Sequence, residues 1–245
     1  MPVLMDKERC EKYCFQKIRS YPKEPKPEMK QTKLVLFDMD GVLTDTVSSW
    51  RFIHEHFGVS NEHSVRAYVS GEIDDMEFIR RDVDLWRTDG TLIHSDLLKE
   101  LLLKIPIMAG AKECVQWLHG NSIRTAIVSA GLDTLADRVA SELGINYVYA
   151  NGIKEDESGL LTTEGILRVP LLKKDMVVDR ISTELGVPSE HMAAVGNSCY
   201  DLPMLRKVPL GIAFNPSDEC VCEEADLIVM GRDLTELVTV FERYI

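Results

Sequence analysis

Six short, mostly apolar runs separated by amphipathic helical stretches are the feature that most narrows how this chain can fold. KLVLF at 33–37 comes first, then RTAIV at 124–128, YVYA at 147–150, MAAV at 192–195, LGIAF at 210–214 and DLIVM at 226–230. Continuous apolarity marks strands buried on both faces, and the helices between them supply the crossovers that a parallel sheet needs. The expected fold class is α/β, with a Rossmann-like parallel sheet core. Two helical patterns have clear stops: LDTLADRVASEL runs into Gly144 and LLKKDMVVDRISTEL into Gly186, each glycine suited to a left-handed cap.

The interval of roughly 46–108 between the first two strands is too long for a simple crossover and contains the helical patterns SSWRFIHEHF and DDMEFIRRDVDLW. It reads as a helical cap domain, 46–108, inserted into a core domain made of 33–45 and 109–245. A second excursion, NGIKEDESGLLTTEGIL at 151–167, has a Ser-Gly turn between polar arms and reads as a β-hairpin flap. Ahead of the core, residues 1–32 divide into a short helix and a linker. Three prolines among charges in YPKEPKPEMKQTK at 21–33 cannot continue a helix. In the helix, Cys10, Cys14, Ile18 and Tyr21 follow helical spacing, so it should dock on the body of the protein or on a second subunit, as in a homodimer.

Composition excludes several classes. With 45% hydrophobic residues in 245, the chain can bury a sizeable core. Its 28 Lys and Arg against 40 Asp and Glu give −12, a surface that repels a nucleic-acid backbone. Residues 1–33 are the exception, with nine basic and five acidic residues, net +4, which leaves −16 on the remainder. No run approaches the ~20 apolar residues of a membrane span, and the first residues carry acids where a signal peptide is apolar. A cytoplasmic protein with no membrane partner is expected. Cysteines 10, 14, 114, 199, 220 and 222 are too few and too irregular for a disulfide scaffold and read as free thiols.

The chemistry begins where the first strand ends, in Asp38-Met39-Asp40-Gly41. In extended chain a period of two points both carboxylates the same way, at the strand end where open α/β sheets bind ligands. Two such acids can share one magnesium ion, a hard cation held by one or two carboxylates together with waters and substrate phosphate.

The full string DMDGVLTD, 38–45, closely resembles the first motif of the haloacid dehalogenase-like phosphatases, of the form DxDGTLxD. That resemblance implies that Asp38 attacks phosphorus and that Asp40 serves as general acid and base. It also implies a phosphate-gripping Ser129 with Ala130 and Gly131, although Ser129 alone would read as a helix cap. A third motif, a lysine near a helix start, is met by Lys173 and Lys174, and KKDMVVDRI favours Lys174. The fourth, an acidic GDxxxD loop, is matched by Gly196-Asn197-Ser198-Cys199-Tyr200-Asp201 with one change. Asn197 stands where the family has a metal-ligating aspartate; its amide oxygen can still coordinate Mg2+, with one charge fewer. The implied metal set is Asp38, Asp40, Asn197 and Asp201.

Among subfamilies the chain is most similar to phosphoserine phosphatases, in the cap position, SAGLDTLADRVASELGINYVYAN and VGNSCYDLPML. Those enzymes grip the amino-acid part of their substrate with a glutamate and a cap arginine, and the aligned positions here hold Val47 and Asp82. Phosphoserine is therefore a doubtful substrate. Trp50, Arg80, Arg81 and Arg87 are candidate cap residues for another small phosphoester. The resemblance implies a Mg2+-dependent phosphatase that hydrolyses a small phosphorylated metabolite through an aspartyl-phosphate. The alternatives are a phosphotransferase or mutase of the same fold, and a non-catalytic binding protein derived from it.

Overall fold

The structure is a computed structural model and describes residues 25–245. Seven strands form one sheet in the order β6-β5-β4-β1-β7-β8-β9, where β1 is Leu34–Phe37, β4 Arg124–Leu132, β5 Tyr147–Glu155, β6 Leu161–Ile166, β7 Met192–Gly196, β8 Leu210–Phe214 and β9 Leu227–Val229. All neighbours are parallel except β5 and β6. The expected α/β parallel-sheet core is what forms, and each apolar run lies in a strand. No helix among the described residues is long and apolar enough to cross a membrane. The helix expected ahead of the linker, with Cys10 and Cys14, falls outside the described residues. Cys114 is a buried free thiol.

Strand β1 is central and fully buried, as an all-apolar LVLF requires. Its side chains alternate between the two faces: Val35 and Phe37 join one apolar cluster, Leu34 and Leu36 the other. The second cluster also holds Val177, Val178 and Ile181 of helix α7 (Lys174–Leu185), so the even-numbered face of β1 looks toward that helix. Register then fixes the ends. Phe37 pairs with Ile127 of β4 and Val195 of β7, so the residue after β1 emerges beside Val128, one residue short of Ser129, and Gly196. The chain builds outward from β1 through β4 and β5, then returns to the other side through β7 and β8, which makes this the switch point of the sheet.

Between β1 and β4 the chain forms α1 (Ser49–His56), α2 (Glu62–Ser70), α3 (Asp75–Asp84), the small hairpin β2 (Arg87–Thr88) and β3 (Thr91–Leu92), α4 (Ser95–Leu102) and α5 (Ala111–Gly120). Local chemistry sets these boundaries: Ser48 and Asp74 cap α1 and α3 by accepting from the amides of Arg51 and Glu77, and Gly71 ends α2 with φ +84°. The two connections to the core are tied together, Asp45 N donating to Pro106 O and Met108 N to Leu43 O, both at 2.9 Å.

The excursion at 151–167 is less separate than its sequence implies. It continues YVYA as one strand, β5, whose first half pairs with β4 and whose second half folds back on β6. Asp156 closes the turn by accepting from Ser158 and Leu160 N, with Gly159 at φ +83°. The hairpin packs on the inserted helices, since a Cβ at Gly165 would lie 2.7 Å from Ile79 of α3. The proline linker is likewise held, Lys30 N and Lys33 N donating to the carbonyls of Glu190 and His191. Helices α6 (Asp133–Leu143) and α7 end at Gly144 and Gly186 in left-handed conformation, φ +80° and +61°.

Beyond β7, a 3-10 turn at Cys199–Asp201 leads into α8 (Leu202–Lys207); α9 (Glu219–Glu224) and α10 (Thr235–Tyr244) follow later. Helix α8 crosses β8 so closely that a Cβ at Gly211 would stand 2.5 Å from the Leu205 carbonyl oxygen. Backbone cannot yield as a side chain can. Gly211→Ala should cost roughly 1–3 kcal/mol, the range for overpacking, read as about 2–4 °C of Tm per kcal/mol for a chain this size. An unchanged melting temperature would show that α8 is free to shift.

Candidate active site

Asp38 continues the even face of β1, and its amide donates to Val195 O at 2.9 Å, which holds it at the sheet's carboxyl end. Facing it, Lys174 opens α7 with its side chain only 2% exposed, whereas Lys173 is exposed. The Lys174 Nζ donates to Asp38 Oδ1 at 2.8 Å and to Asp201 Oδ1 at 2.7 Å. Burial opposes the charge on Lys174, but the two carboxylates outweigh it and hold its pKa above the ordinary lysine value. Two anions against one cation leave the triad one negative charge in excess. Burial, then the Asp201 charge, raises Asp38 to about 7 against the pull of Lys174.

Asp201, expected among the metal ligands, has both oxygens engaged by protein donors. Its Oδ2 accepts from Asn197 N, Ser198 N and Ser198 Oγ at 2.9, 2.9 and 3.1 Å, and its Oδ1 is taken by Lys174. Its role is to close the 196–201 loop on itself and to fix the lysine. Gly196 is required there, since a Cβ would fall 2.4 Å from Asp201 Cβ.

Asp40 also departs from the extended-strand expectation. The strand stops at Phe37, and the amides of Val42, Leu43 and Thr44 all turn back to the Met39 carbonyl. Asp40 Oδ2 therefore meets Ser49 at the start of α1, accepting from its amide and its hydroxyl, both at 2.8 Å. The two carboxylates are gripped by different elements. Asp40 Oδ1 is buried without a hydrogen-bond partner among the described residues. Burial pushes this carboxyl up against the lowering from Ser49.

Ser129 does not cap a helix, because β4 runs on to Leu132 and α6 begins at Asp133. Its Oγ accepts from Gly131 N at 3.1 Å, which leaves the hydroxyl proton to donate. Nor are the following amides free, since Leu132 N donates to Ser49 Oγ at 3.1 Å. Ala130 presents its carbonyl to Trp50 Nε1 and Asn151 Nδ2 at 3.0 and 3.2 Å. A Cβ at Gly131 would stand 2.7 Å from Ser49 Oγ and 2.8 Å from Asp40 Oδ2. Only glycine lets β4 approach that pair.

Asp38, Asp40, Ser129, Ala130, Gly131, Lys174 and Asn197 line one cavity of about 780 Å3, with the inserted helices on its far wall. Trp50 lines it; Arg80, Arg81 and Arg87 do not. The first two pair with Glu77 at 2.6 and 2.7 Å and the third with Asp84, on exposed surface. Sequence reasoning missed Ser49, whose spacing of nine from Asp40 belongs to no motif, and His54 and Asn61, which line the same wall.

Among the described residues no three His, Cys, Asp or Glu side chains form a metal-ligating cluster. An oxygen pair for a hard cation nonetheless exists. Asp38 Oδ2 and the Asn197 side-chain oxygen have no hydrogen-bond partner among the described residues, and both residues face the cavity. Asn197 is packed over the turn, its Nδ2 2.0 Å from where a Cβ at Gly41, φ +81°, would lie. One carboxylate and one amide oxygen, completed by water and phosphate, fit magnesium-type coordination, and weakly.

A family model for haloacid dehalogenase-like hydrolases matches residues 35–206. The chain belongs to that family. Curated relatives include a phosphoserine phosphatase of Lactococcus lactis subsp. lactis, 32% identical over 74% of this chain and 82% of its own length. Another, from Archaeoglobus fulgidus, is 29% identical over 87% of this chain, which spans 61% of that protein. A solved phospho-aspartyl intermediate analogue of phosphoserine phosphatase superposes with a TM-score of 0.72 at 26% identity, over 86% of this chain and 99% of its own. The haloacid dehalogenase-like hydrolase motifs thus all meet around one cavity, with Asp201 bonded to the lysine behind it.

The raised Asp38 carboxyl generates a sign that can be tested. Its folded value of about 7 exceeds its ordinary 3.8, so the metal-free folded protein binds more protons than the unfolded chain between those values. The group therefore costs stability as pH rises through that window. Asp38→Asn removes the excess charge and keeps an acceptor for Lys174. Without divalent cations it should melt above the parent at pH 8, with the gap shrinking toward pH 4.5. Equal melting at both pH values would refute the buried-charge account.

Proposed function

We propose that this protein is a phosphomonoesterase that takes a small phosphorylated metabolite, works with Mg2+ in the cytoplasm, and passes through an aspartyl-phosphate. The observation that carries the reading is the Asp38–Lys174–Asp201 triad, which leaves one Asp38 oxygen open to the cavity while the lysine ammonium stands beside it. The phosphoserine phosphatase relatives support the reaction class.

Each residue has a distinct task. Lys174 and the Ser129 hydroxyl bind phosphoryl oxygens, and Asp201 holds Lys174 in place. The Asp38 carboxylate attacks phosphorus, the ester P–O bond breaks, and the leaving oxygen takes the proton from Asp40. Water then adds to phosphorus and gives its proton back to Asp40, and the bond from phosphorus to Asp38 breaks to release phosphate. Asp38 and the Asn197 amide oxygen would hold the cation, which supplies charge to keep Asp38 ionised and to offset the phosphoryl anion. Residues 46–108 act as the cap that shields the reaction from bulk water.

Two measurements test this. Purified protein with Mg2+ should hydrolyse a small chromogenic phosphomonoester, and Asp38→Asn should fall to background while keeping its fold by circular dichroism. Turnover persisting in that variant would remove the assignment. Asn197→Asp should lower the Mg2+ concentration for half-maximal activity, roughly tenfold on the scale by which ligand charge tunes such sites. An unchanged or higher requirement would place the ion elsewhere.

A further inference from the structure

On the cavity wall opposite Asp38, three inserted helices bring together a second cluster that the phosphoryl chemistry does not use. Asp82 lies on the buried face of α3 with Ile79 and Val83, and His54 on that of α1 with Ser49 and Ile53. Asn61 sits just before α2, and Trp86 follows α3. His54, Asn61 and Asp82 all line the cavity, and both ionisable groups are 3% exposed.

The hydrogen bonds fix the polarity of the cluster. Trp86 Nε1 can only donate, and it does so to His54 Nδ1 at 2.9 Å, so that nitrogen is an acceptor and the ring proton sits on Nε2. His54 Nε2 lies 3.3 Å from Asp82 Oδ2 without hydrogen-bond alignment, and Asn61 Nδ2 donates to the same oxygen at 2.9 Å. Asp82 Oδ1 receives nothing among the described residues. No Lys or Arg among them pairs with Asp82, whose polar neighbours are an imidazole and an amide.

A buried carboxylate without a cation is costly, and a purely structural network closes its bonds. Here one acceptor stays unpaired and shut off from solvent in the wall of a cavity, and the terminal torsion of an aspartate is soft enough to turn it inward. Charge over the whole lining points the same way: seven Asp and Glu against three Lys and Arg. Of those three, Lys174 is held in the catalytic triad, Arg51 pairs with Glu55, and Arg232 pairs with Asp45. No spare cation is left among the described lining residues for a second anionic group on the substrate.

Resting on the phosphatase reading, we propose that Asp82, positioned by His54 and Asn61, is the subsite for an ammonium group on the leaving alcohol. The substrate class is then an amino-alcohol phosphomonoester without a carboxylate. Substrate amine would donate to Asp82 Oδ1 while the phosphoryl end meets Lys174, and a carboxylate on the same molecule would face uncompensated acids.

The test compares ligands that differ only in the tail, bound to the Asp38→Asn protein, which holds phosphoesters without turning them over. Calorimetry or the fluorescence of Trp86, 5.6 Å from the His54 ring, gives the affinities. 2-Aminoethyl phosphate should bind about tenfold or more tighter than propyl phosphate, the scale of one hydrogen bond to a charged group. It should also bind tighter than O-phosphoserine. Adding Asp82→Asn should bring the first ratio near one. A ratio near one before that change, a ratio that survives it, or tighter O-phosphoserine each overturns the proposal. The ligand comparison needs no change at Asp82, so it stands even if Asp82→Asn fails to fold. The parent enzyme separates the two readings: a tail preference in binding without turnover of any phosphoester supports the subsite and removes the phosphatase.

Discussion

The ammonium of Lys174 lies between two buried carboxylates, and the ends of β1, β7 and α7 meet around it. Taking one cation and two anions out of water is expensive, and removing one partner of such a buried pair typically costs about 3–5 kcal/mol. The surrounding structure exists to make that arrangement tolerable. Asp201 has both oxygens satisfied, three donors on one and the lysine on the other. Asp38 has a single partner and an open oxygen, so it carries the remaining strain of burial. The least satisfied oxygen of the triad is thereby the one facing the cavity.

Parity in the central strand brings the lysine to that oxygen. With Leu34 and Leu36 packed against α7, residue 38 inherits the same side, and the helix starts at the one lysine that can reach it. A slip of one residue in β1 would send Asp38 to the opposite apolar cluster. The register with β4 and β7 excludes that slip, because Phe37 is held between Ile127 and Val195. The chemistry rests on a packing decision made by four apolar residues.

Strand runs such as LVLF and LGIAF were readable in sequence because burial on both faces forbids polar residues within them. Strand β5 was not readable in full, because Asn151 and Gly152 interrupt it. Asn151 is tolerated because its amide is saturated, donating to the Ala130 and Val169 carbonyls and accepting from Arg168 N and Val169 N. In the site, Asp38 and Lys174 stood out through residue type and position at element ends. The bonds of Asp201 to Lys174 and to its own loop were not readable, because a motif specifies which acids are present and not what they bond. The Asp40–Ser49 contact and the His54–Asp82–Trp86 group join elements whose relative placement comes from tertiary packing, and no periodicity carries it.

Asn197 and Asp82 redistribute charge within one cavity. An aspartate at 197 would add a second uncompensated anion beside the triad, and the fold would then depend on a bound cation to offset it. The neutral amide keeps the excess at one, a load that the raised Asp38 carboxyl can shed by protonation. The opposite wall carries the charge instead, in a carboxylate with no cation of its own. The phosphoryl end of the cavity thus requires less of its metal, and the far end requires more of its substrate. On this electrostatic reading, selectivity shifts from the ion to the tail of the leaving group.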